Sequence, residues 1–495
     1  MPDKTEKFSR SFLLVALTLF FATLLLLTIT LSAQDLGRHI ANGQAILSGN
    51  FDVLYHNFYS YTLPQNNFVN HHWLGGVIFY LIHLASGFVG LHLFHIFLYC
   101  AAFLVLFLLM KRQSSFHISF LLGIAASLFL ATRREIRPET FGHLFLAHTL
   151  LQINIIIKSQ KITSKQFLLF LVQQLFWVNI HISFIFSIIC FAVLFLIKVI
   201  GNKFAQKIKA SIILKLLLLL IAISLVNPNH FRNLLEPLMI FADYGYPLVE
   251  NKNLLFLHRV INNQLIYSFS AFTLILSILI TSNLKKLNLW DLWLALTGVF
   301  LGFIALRNIP IFVLFTFPVA AKCIYSLSKK VDLKTDNLSL SKLYLSLTTL
   351  VLTITLTLSG AISPKFQLNR LHLGLAQGEE KAAKYFKEHN LTAPIFNNYD
   401  VGSYLIFHLS PKIKVFTDNR PEAYSKSFFQ NIYIPMQESN KIWQEQLKKY
   451  DFKTIFVRRN DITPWFMMFL KQRLNDEQWK IEYEDQFCII MTRVY

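Results

Sequence analysis

Residues 12–43 read "FLLVALTLFFATLLLLTITLSAQDLGRHIANG", and the character of the sequence changes after residue 33. Residues 12–33 carry no charge, and a helix of this length can cross a hydrocarbon core about 30 Å thick. Directly after this segment come Asp35, Arg38 and His39. These charged side chains mark the water boundary, or they take part in chemistry there, and the sequence leaves both interpretations open.

The whole chain has the composition of a polytopic membrane protein. Of its 495 residues, 54% are hydrophobic and 15% are charged, and the mean hydropathy is +0.47. A net charge of +20 would indicate nucleic-acid binding in a soluble protein. Most Lys and Arg residues lie in short loops between apolar segments, so membrane topology and lipid headgroups explain the charge, and no nucleic-acid partner is predicted.

Eleven apolar segments have lengths suited to crossing a membrane, which predicts about 11 transmembrane helices. The run at 73–86 is short for a span, and we predict an interfacial or re-entrant helix there. With the N-terminus in the cytoplasm, most loop lysines then fall inside, as the positive-inside rule requires, but this agreement is lost if 73–86 crosses the membrane. The predicted spans are 12–33, 88–110, 116–132, 139–157, 165–180, 182–199, 211–226, 265–282, 288–306, 309–328 and 342–362.

The composition becomes polar and charged near residue 364. We therefore predict a transmembrane domain at 1–363, with a first outer loop at 34–87, and a small extracytoplasmic α/β domain at 364–495. Strand-like runs in the second domain lie at 393–398, 414–418, 453–457 and 487–494. Helix-like stretches lie near 379–389, 440–449 and 464–474.

Polar residues in apolar surroundings collect on the predicted outer side. An ionised Asp just beyond a helix end can act as a general base, and Arg side chains can hold a departing phosphate. Purely structural roles stay open for several of these residues. The arginines of "RREIRPE" (133–139) can extend to the lipid headgroups, and Asp418 and Arg420 can hold loops together. The outer-side residues singled out are Asp35, His39, His71, His72, Arg134, Arg137, His181, Asn227, Arg307, Asp418 and Arg420.

This arrangement resembles the GT-C superfamily of membrane glycosyltransferases. The similarity lies in an aspartate at the exit of the first span, a first outer loop with helical segments, about eleven spans and an outer C-terminal domain. Segments such as "DLGRHIANGQAIL" (35–47), "RREIRPETFGHLF" (133–145), "LFWVNIHISF" (175–184) and "IFNNYDVGSYLIFHLSPKIKVFTDNRPEAYS" (395–425) also resemble, in order and spacing, a bacterial family of GT-C-like membrane proteins. That family commonly has tryptophans where Leu36 and Gly37 stand, and an acid where His72 stands.

The resemblance implies a glycosyltransferase in the bacterial plasma membrane that uses a polyprenyl-phosphate sugar and a cell-envelope acceptor. It implies a catalytic role for Asp35, with His39 and His71 beside it. Arg134, Arg137 and Arg307 would bind donor phosphate, and the remaining outer-side residues would complete the site. No metal-ligand motif is predicted, although a divalent cation is compatible with these residue types.

A non-catalytic membrane protein that binds or translocates a lipid-linked glycan is the alternative function. A transporter is expected to place polar residues and broken helices at the bilayer midplane. In this chain they concentrate at the outer edge, which favours an enzyme of the outer face.

Overall fold

A computed structural model describes residues 4–201, 207–239, 242–330, 338–358 and 371–494. Six of its helical segments are long and apolar enough to cross a membrane, and four more apolar helices are shorter. The multi-pass membrane architecture is therefore confirmed. Each of the eleven predicted spans overlaps a helix, while the span count itself stays a prediction. The helices are α1 (Lys4–Leu25), α2 (Leu36–Leu47), α3 (Trp73–Gln113), α4 (Phe116–Leu130), α5 (Glu139–Ser159), α6 (Ser164–Ile180), α7 (Ile185–Val199), α8 (Ala210–Ile223), α9 (Phe231–Met239), α10 (Leu254–Ile261), α11 (Leu265–Thr281), α12 (Leu289–Ile304), α13 (Ile309–Lys330) and α14 (Leu338–Leu358).

Local sequence explains where several helices begin. α6 and α12 each start with a capping box, formed by Thr163 with Gln166 and by Asn288 with Asp291. In each box the side chain at the cap accepts a backbone N–H that the first helical turn leaves unsatisfied. α5 starts directly after Pro138, whose fixed φ suits the first turn of a helix.

The first helix ends earlier than the apolar sequence predicts. α1 stops at Leu25, and the following residues are extended, with Leu27 and Ile29 bridging to Leu371 and Leu375. The Ile29 N–H donates to the carbonyl of Gly374 at 2.9 Å. The β-branched run at 28–30 suits an extended strand. The end of the first span is therefore tied to the C-terminal domain, and this long-range pairing shortens the predicted helix.

The short helix predicted at 73–86 is present as the first part of α3. At Gly87 the backbone leaves helical geometry, with φ 61° and ψ −160°, and the helix then resumes into the predicted span. A positive φ of this kind is far easier for glycine than for residues with a Cβ.

Two close backbone approaches fix α2 in place. A Cβ added at Gly43 would lie 2.2 Å from the carbonyl oxygen of Gly76, so α2 and the start of α3 cross with their backbones in contact. A Cβ at Gly37 would lie 2.7 Å from the carbonyl oxygen of Ser403 in the C-terminal domain. A side chain at position 37 would therefore force α2 and the C-terminal domain apart.

The C-terminal domain contains a four-stranded sheet in the order β1-β2-β4-β3. β1 and β2 are parallel, and β4 is antiparallel to both β2 and β3. The strands are β1 (Ile395–Phe396), β2 (Thr454–Arg458), β3 (Trp479–Glu484) and β4 (Cys488–Arg493), and the helices are α15 (Lys381–Glu388), α16 (Gly402–Leu409), α17 (Lys426–Phe428), α18 (Pro435–Glu438), α19 (Asn440–Tyr450) and α20 (Pro464–Leu474).

Most sequence-predicted elements of this domain are confirmed. Three of the four predicted runs form strands, and the three predicted helices correspond to α15, α19 and α20. The prediction of a strand at 414–418 is wrong, because Val415 forms an isolated bridge with Ser60 of the first outer loop instead of joining the sheet. The predicted boundary at 363/364 lies outside the described residues.

An apolar core joins the two parts of the molecule. Leu36 and Ile40 of α2 and Phe79 of α3 are buried in the same cluster as Val401 and Leu405 of the C-terminal domain. The domain consequently lies over the end of the helix bundle at which Asp35 emerges.

Candidate active site

A cavity of about 520 Å³ lies between the end of the bundle and the C-terminal domain. The start of α2, the turn between α4 and α5, the segment before α10 and loops of the C-terminal domain all contribute to its wall. The structure brings seven of the eleven predicted site residues together there. They are Asp35, His39, His71, His72, Arg137, His181 and Arg307.

Asp35 occupies the position just before α2, where the chain turns from the bundle into the outer loop. Its Oδ2 lies 3.7 Å from Nη2 of Arg137, and its side chain is 19% exposed. Burial raises the pKa of Asp35 above its usual range, and the positive charges of Arg137 and Arg38 oppose this only in part. A carboxylate with a raised pKa is a stronger proton acceptor than an ordinary aspartate.

Three arginines surround one carboxylate in the cavity. Oε2 of Glu250 lies 2.6 Å from Nη1 of Arg137 and 3.1 Å from Nη1 of Arg133. Oε1 of Glu250 lies 3.7 Å from Nη1 of Arg307. Arg133 is also held by Glu139, with Nε to Oε1 at 3.0 Å and Nη2 to Oε2 at 3.1 Å.

The charges in this cluster stabilise each other. Burial opposes ionisation of Glu250, but Arg137, Arg133 and Arg307 outweigh it and lower the pKa of the carboxyl below its usual range. Burial likewise opposes the charged form of Arg137, and Glu250 and Asp35 outweigh it and raise the pKa of the guanidinium. The ion pairs therefore favour the charged forms of Glu250 and Arg137, and the cluster directs several guanidinium groups at one anion.

Four histidines, His39, His71, His72 and His181, line the same cavity as Asp35. The ring centroids of His39 and His72 are 5.3 Å apart, those of His71 and His72 are 4.0 Å apart, and those of His72 and His181 are 5.1 Å apart. Burial lowers the pKa of His39 well below its usual range, helped by Arg38, and it lowers the pKa of His71 to about 3. These neutral rings can orient polar groups by hydrogen bonding, while charge neutralisation falls to the arginines.

The Nδ1 atoms of these histidines differ in their hydrogen bonding. Nδ1 of His39 is buried and has no hydrogen-bond partner within the described residues. By contrast, Nδ1 of His72 lies 3.1 Å from the carbonyl of Ile180, and Nδ1 of His181 lies 2.7 Å from Oγ of Ser183.

Across the described ranges, no three His, Cys, Asp or Glu side chains are grouped to hold a metal ion. A divalent cation stays a prediction from the sequence.

Asp418 and Arg420 lie outside the cavity, in a fully buried ion pair. Nε and Nη2 of Arg420 donate to the two Asp418 carboxylate oxygens at 2.7 Å each. Nη2 of Arg420 also donates to Oδ1 of Asn57 at 2.7 Å, and the Tyr424 hydroxyl donates to Asp418 at 3.0 Å. These bonds connect the C-terminal domain to the first outer loop, which favours the framework role over direct substrate contact.

Asn227 and Arg134 are also absent from the cavity wall. The Asn227 side-chain amide donates to the carbonyls of Ser224 and His230, and its Oδ1 accepts the Asn229 N–H. Asn227 therefore stabilises the turn after α8. In the turn between α4 and α5, Arg133 rather than Arg134 lines the cavity.

Sequence reasoning missed several acidic wall residues. Besides Glu250, the missed residues are Glu236 and Glu422. Asp400, which the sequence places near a strand end of the C-terminal domain together with Asp418 and Arg420, also lies in the wall. Oδ2 of Asp400 lies 2.8 Å from Nη1 of Arg458, and burial together with Asp461 raises the Asp400 pKa to about 6. A signal for Glu250 existed in the sequence, because an arginine cluster on the outer side requires an anionic partner and Glu250 lies in another segment predicted to be outside.

Solved structures with the same fold are archaeal oligosaccharyltransferases. AglB from Archaeoglobus fulgidus, in complex with an inhibitory peptide and a dolichol-phosphate, aligns with a TM-score of 0.61 at 10% sequence identity, covering 92% of this chain and 70% of that chain. The apo oligosaccharyltransferase of A. fulgidus aligns with a TM-score of 0.59 at 11% identity, covering 91% of this chain and 69% of that chain. No protein-family model and no curated protein matches the sequence. At this level of identity the alignments show the fold, and the overall fold expected from the resemblance is confirmed.

Proposed function

We propose that this protein is a membrane glycosyltransferase that moves a sugar from a polyprenyl-phosphate donor to an acceptor of the cell envelope. The observation that carries the proposal is the meeting of the Asp35 carboxylate and the Arg137 guanidinium, 3.7 Å apart, in a cavity at the end of the first membrane helix. Sugar transfer from a lipid phosphate requires a proton acceptor beside a cation that neutralises the leaving group.

In the proposed reaction, the acceptor is a glycan, lipid or protein. Asp35 takes the proton from its attacking hydroxyl or amide, and the attacking atom forms a bond to the anomeric carbon of the donor sugar. The bond between that carbon and the phosphate oxygen breaks, and its electron pair stays on the phosphate. Attack from the face opposite the phosphate inverts the anomeric configuration, and His39 and His71 orient the reacting groups.

The donor phosphate would bind where the Glu250 carboxylate now lies. Arg137 and Arg307 contact that carboxylate, and Arg133 takes the place that the sequence assigned to Arg134. Arginine suits this role because its planar fork donates two parallel hydrogen bonds to phosphate oxygens. Support for a lipid phosphate also comes from AglB, which has the same fold and was solved with a dolichol-phosphate.

The proposed location is the bacterial plasma membrane, with the N-terminus in the cytoplasm and the C-terminal domain outside. The distribution of loop lysines supports this orientation. The cavity and the C-terminal domain would then face the cell envelope, where the acceptor lies.

The proposal is tested by substituting Asp35→Asn, which keeps the shape of the side chain and removes the base. We expect transfer from labelled polyprenyl-phosphate sugars to fall by about a hundredfold to ten-thousandfold, the usual contribution of a general base. Binding of labelled polyprenyl phosphate should be largely retained, because the arginines are untouched. Asp52→Asn is the matched control, since Asp52 lies in the same outer loop but outside the cavity. Near-normal transfer by a correctly inserted Asp35→Asn protein would contradict the assigned base.

The transfer rate should also depend on pH in a defined direction. Asp35 acts only as a carboxylate, so transfer falls as the pH drops through its pKa. Since burial raises that pKa, the loss should begin at a higher pH than for an ordinary aspartate, whose pKa is about 3.9. A pH–rate profile of the wild-type protein measures this.

A further inference from the structure

A second cavity lies at the opposite end of the helix bundle from the candidate active site. It has a volume of about 500 Å³ and lies between α3, α5, α12 and α13. α5 starts at Glu139 beside the active-site cavity, whereas the second cavity is lined by its far end, from Leu150 to Lys158. α13 likewise follows Arg307 and reaches the second cavity only near Lys322. The two cavities are therefore separated by most of the length of these helices.

The second cavity combines an apolar floor with a cationic rim. Leu109, Leu150 and Leu294 in its wall are buried. Arg112 and Lys158 at its edge are exposed. A phospholipid has a matching arrangement of groups. Its acyl chains would contact the apolar floor, and its anionic phosphate would contact the cationic rim.

The charges at this cavity are unbalanced. Its lining contains three cations but a single carboxylate, that of Asp291. Nζ of Lys322 lies 2.5 Å from Oδ2 of Asp291, so that carboxylate is already paired. The Lys158 ammonium donates to the backbone carbonyl of Arg112, which holds the Lys158 side chain beside residue 112 at the edge of the cavity. Within the described residues, neither Arg112 nor Lys158 has a carboxylate at ion-pair distance.

We propose that this cavity binds an anionic phospholipid of the inner leaflet, with Arg112 and Lys158 on its phosphate and an acyl chain on the apolar floor. Basic pockets between transmembrane helices bind anionic lipid headgroups in this way. Oδ1 of Asn154 is buried in the wall and lacks a hydrogen-bond partner in the described part of the chain. It can accept a hydrogen bond from a headgroup hydroxyl, which favours phosphatidylglycerol. Only the choice of leaflet rests on the proposed orientation.

The positive-inside rule alone also places Lys and Arg at this end of the bundle. The rule does not require these cations to lie over an apolar cavity. The experiment therefore asks whether the cavity and its cations together bind a lipid. The full-length protein in detergent is titrated with phosphatidylglycerol, phosphatidylcholine or inorganic phosphate, and bound lipid is counted by native mass spectrometry. We expect phosphatidylglycerol to bind well above both other probes.

The double variant Arg112→Ala/Lys158→Ala should bind phosphatidylglycerol about 25-fold more weakly, because each cation near an anionic headgroup contributes about fivefold. Lys285→Ala/Lys286→Ala is the matched control, since these lysines lie between α11 and α12 outside the cavity, and its affinity should be unchanged. If the first double variant does not insert, Arg112→Gln alone should show the fivefold loss. Equal weakening in both double variants would overturn the proposal, as would equal binding of phosphatidylcholine or inorganic phosphate.

Discussion

Glu250 combines two roles that are usually separate. As a structural residue it neutralises three arginines that would otherwise repel one another in a buried place. Like a phosphate group, it is also an anion that presents two oxygens to guanidinium groups. Glu250 therefore holds the three guanidinium groups in an arrangement suited to an anion, and the proposed donor phosphate would compete with Glu250 for them.

Substituting Glu250→Gln should strengthen binding of labelled polyprenyl phosphate by roughly tenfold or more, since hydrogen bonds to charged groups contribute about 1.5–3 kcal/mol. The same variant should have a lower melting temperature without ligand, because its arginines lose their partner. Glu236→Gln is the control, as Glu236 lies in the same cavity wall and is not among the carboxylates paired with these arginines. Unchanged affinity in the Glu250→Gln protein would show that phosphate binds elsewhere.

Substitutions of Arg137 provide a second test of phosphate binding by a single residue. Arg137→Lys keeps the charge but removes the planar fork, so we expect weaker polyprenyl-phosphate binding and slower transfer than in the wild-type protein. Arg137→Ala should be more severe, because it also leaves Glu250 with one ion pair fewer. If both variants bind polyprenyl phosphate like the wild-type protein, Arg137 has only a headgroup or structural role.

At the level of elements, sequence patterns predicted helix positions well and helix ends less well. The length of each apolar segment predicted a span, and every predicted span overlaps a helix. A helix satisfies all its backbone hydrogen bonds internally, as a segment in lipid must. The early end of α1 was not predictable from local sequence, since it depends on pairing between Ile29 and Gly374, far apart in the chain. The prediction of a strand at 414–418 was wrong for the same reason, because Val415 pairs with Ser60, which is distant in the chain.

The crossing of α2 and α3 gives a prediction for an element. Gly43→Ala would place a Cβ 2.2 Å from the Gly76 carbonyl oxygen, so the two helices must separate. Overpacking of this kind typically costs about 1–3 kcal/mol, and it would also displace Asp35 and His39 at the start of α2. We expect a lower melting temperature and reduced transfer. Gln44→Ala, at the exposed neighbouring position of α2, should change neither, and equal effects would refute the role of the crossing.

At the scale of the molecule, the sequence predicted that the candidate residues share one end of the helix bundle, but it did not predict which of them meet. Asp35 and Arg137 were found because each stands at the end of an apolar span. Glu422 was not found, because it reaches the cavity only through the docking of the C-terminal domain on α2. Asp418 and Arg420 were predicted at the site, but the structure places them in a buried pair beside it, since that docking also needs polar partners.

The docking of the C-terminal domain on the active-site end of the bundle makes the orientation testable. All four native cysteines are buried, so introduced cysteines can be labelled over a low background. Lys448→Cys places a thiol on the exposed face of α19, and Lys285→Cys places one in the connection between α11 and α12. With the proposed orientation, a membrane-impermeant maleimide added to intact cells should label Lys448→Cys and spare Lys285→Cys until the membrane is permeabilised. The reverse pattern would place the cavity in the cytoplasm, where a cell-envelope acceptor could not reach Asp35, and the proposed reaction would have to be abandoned even if every contact in the site were correct.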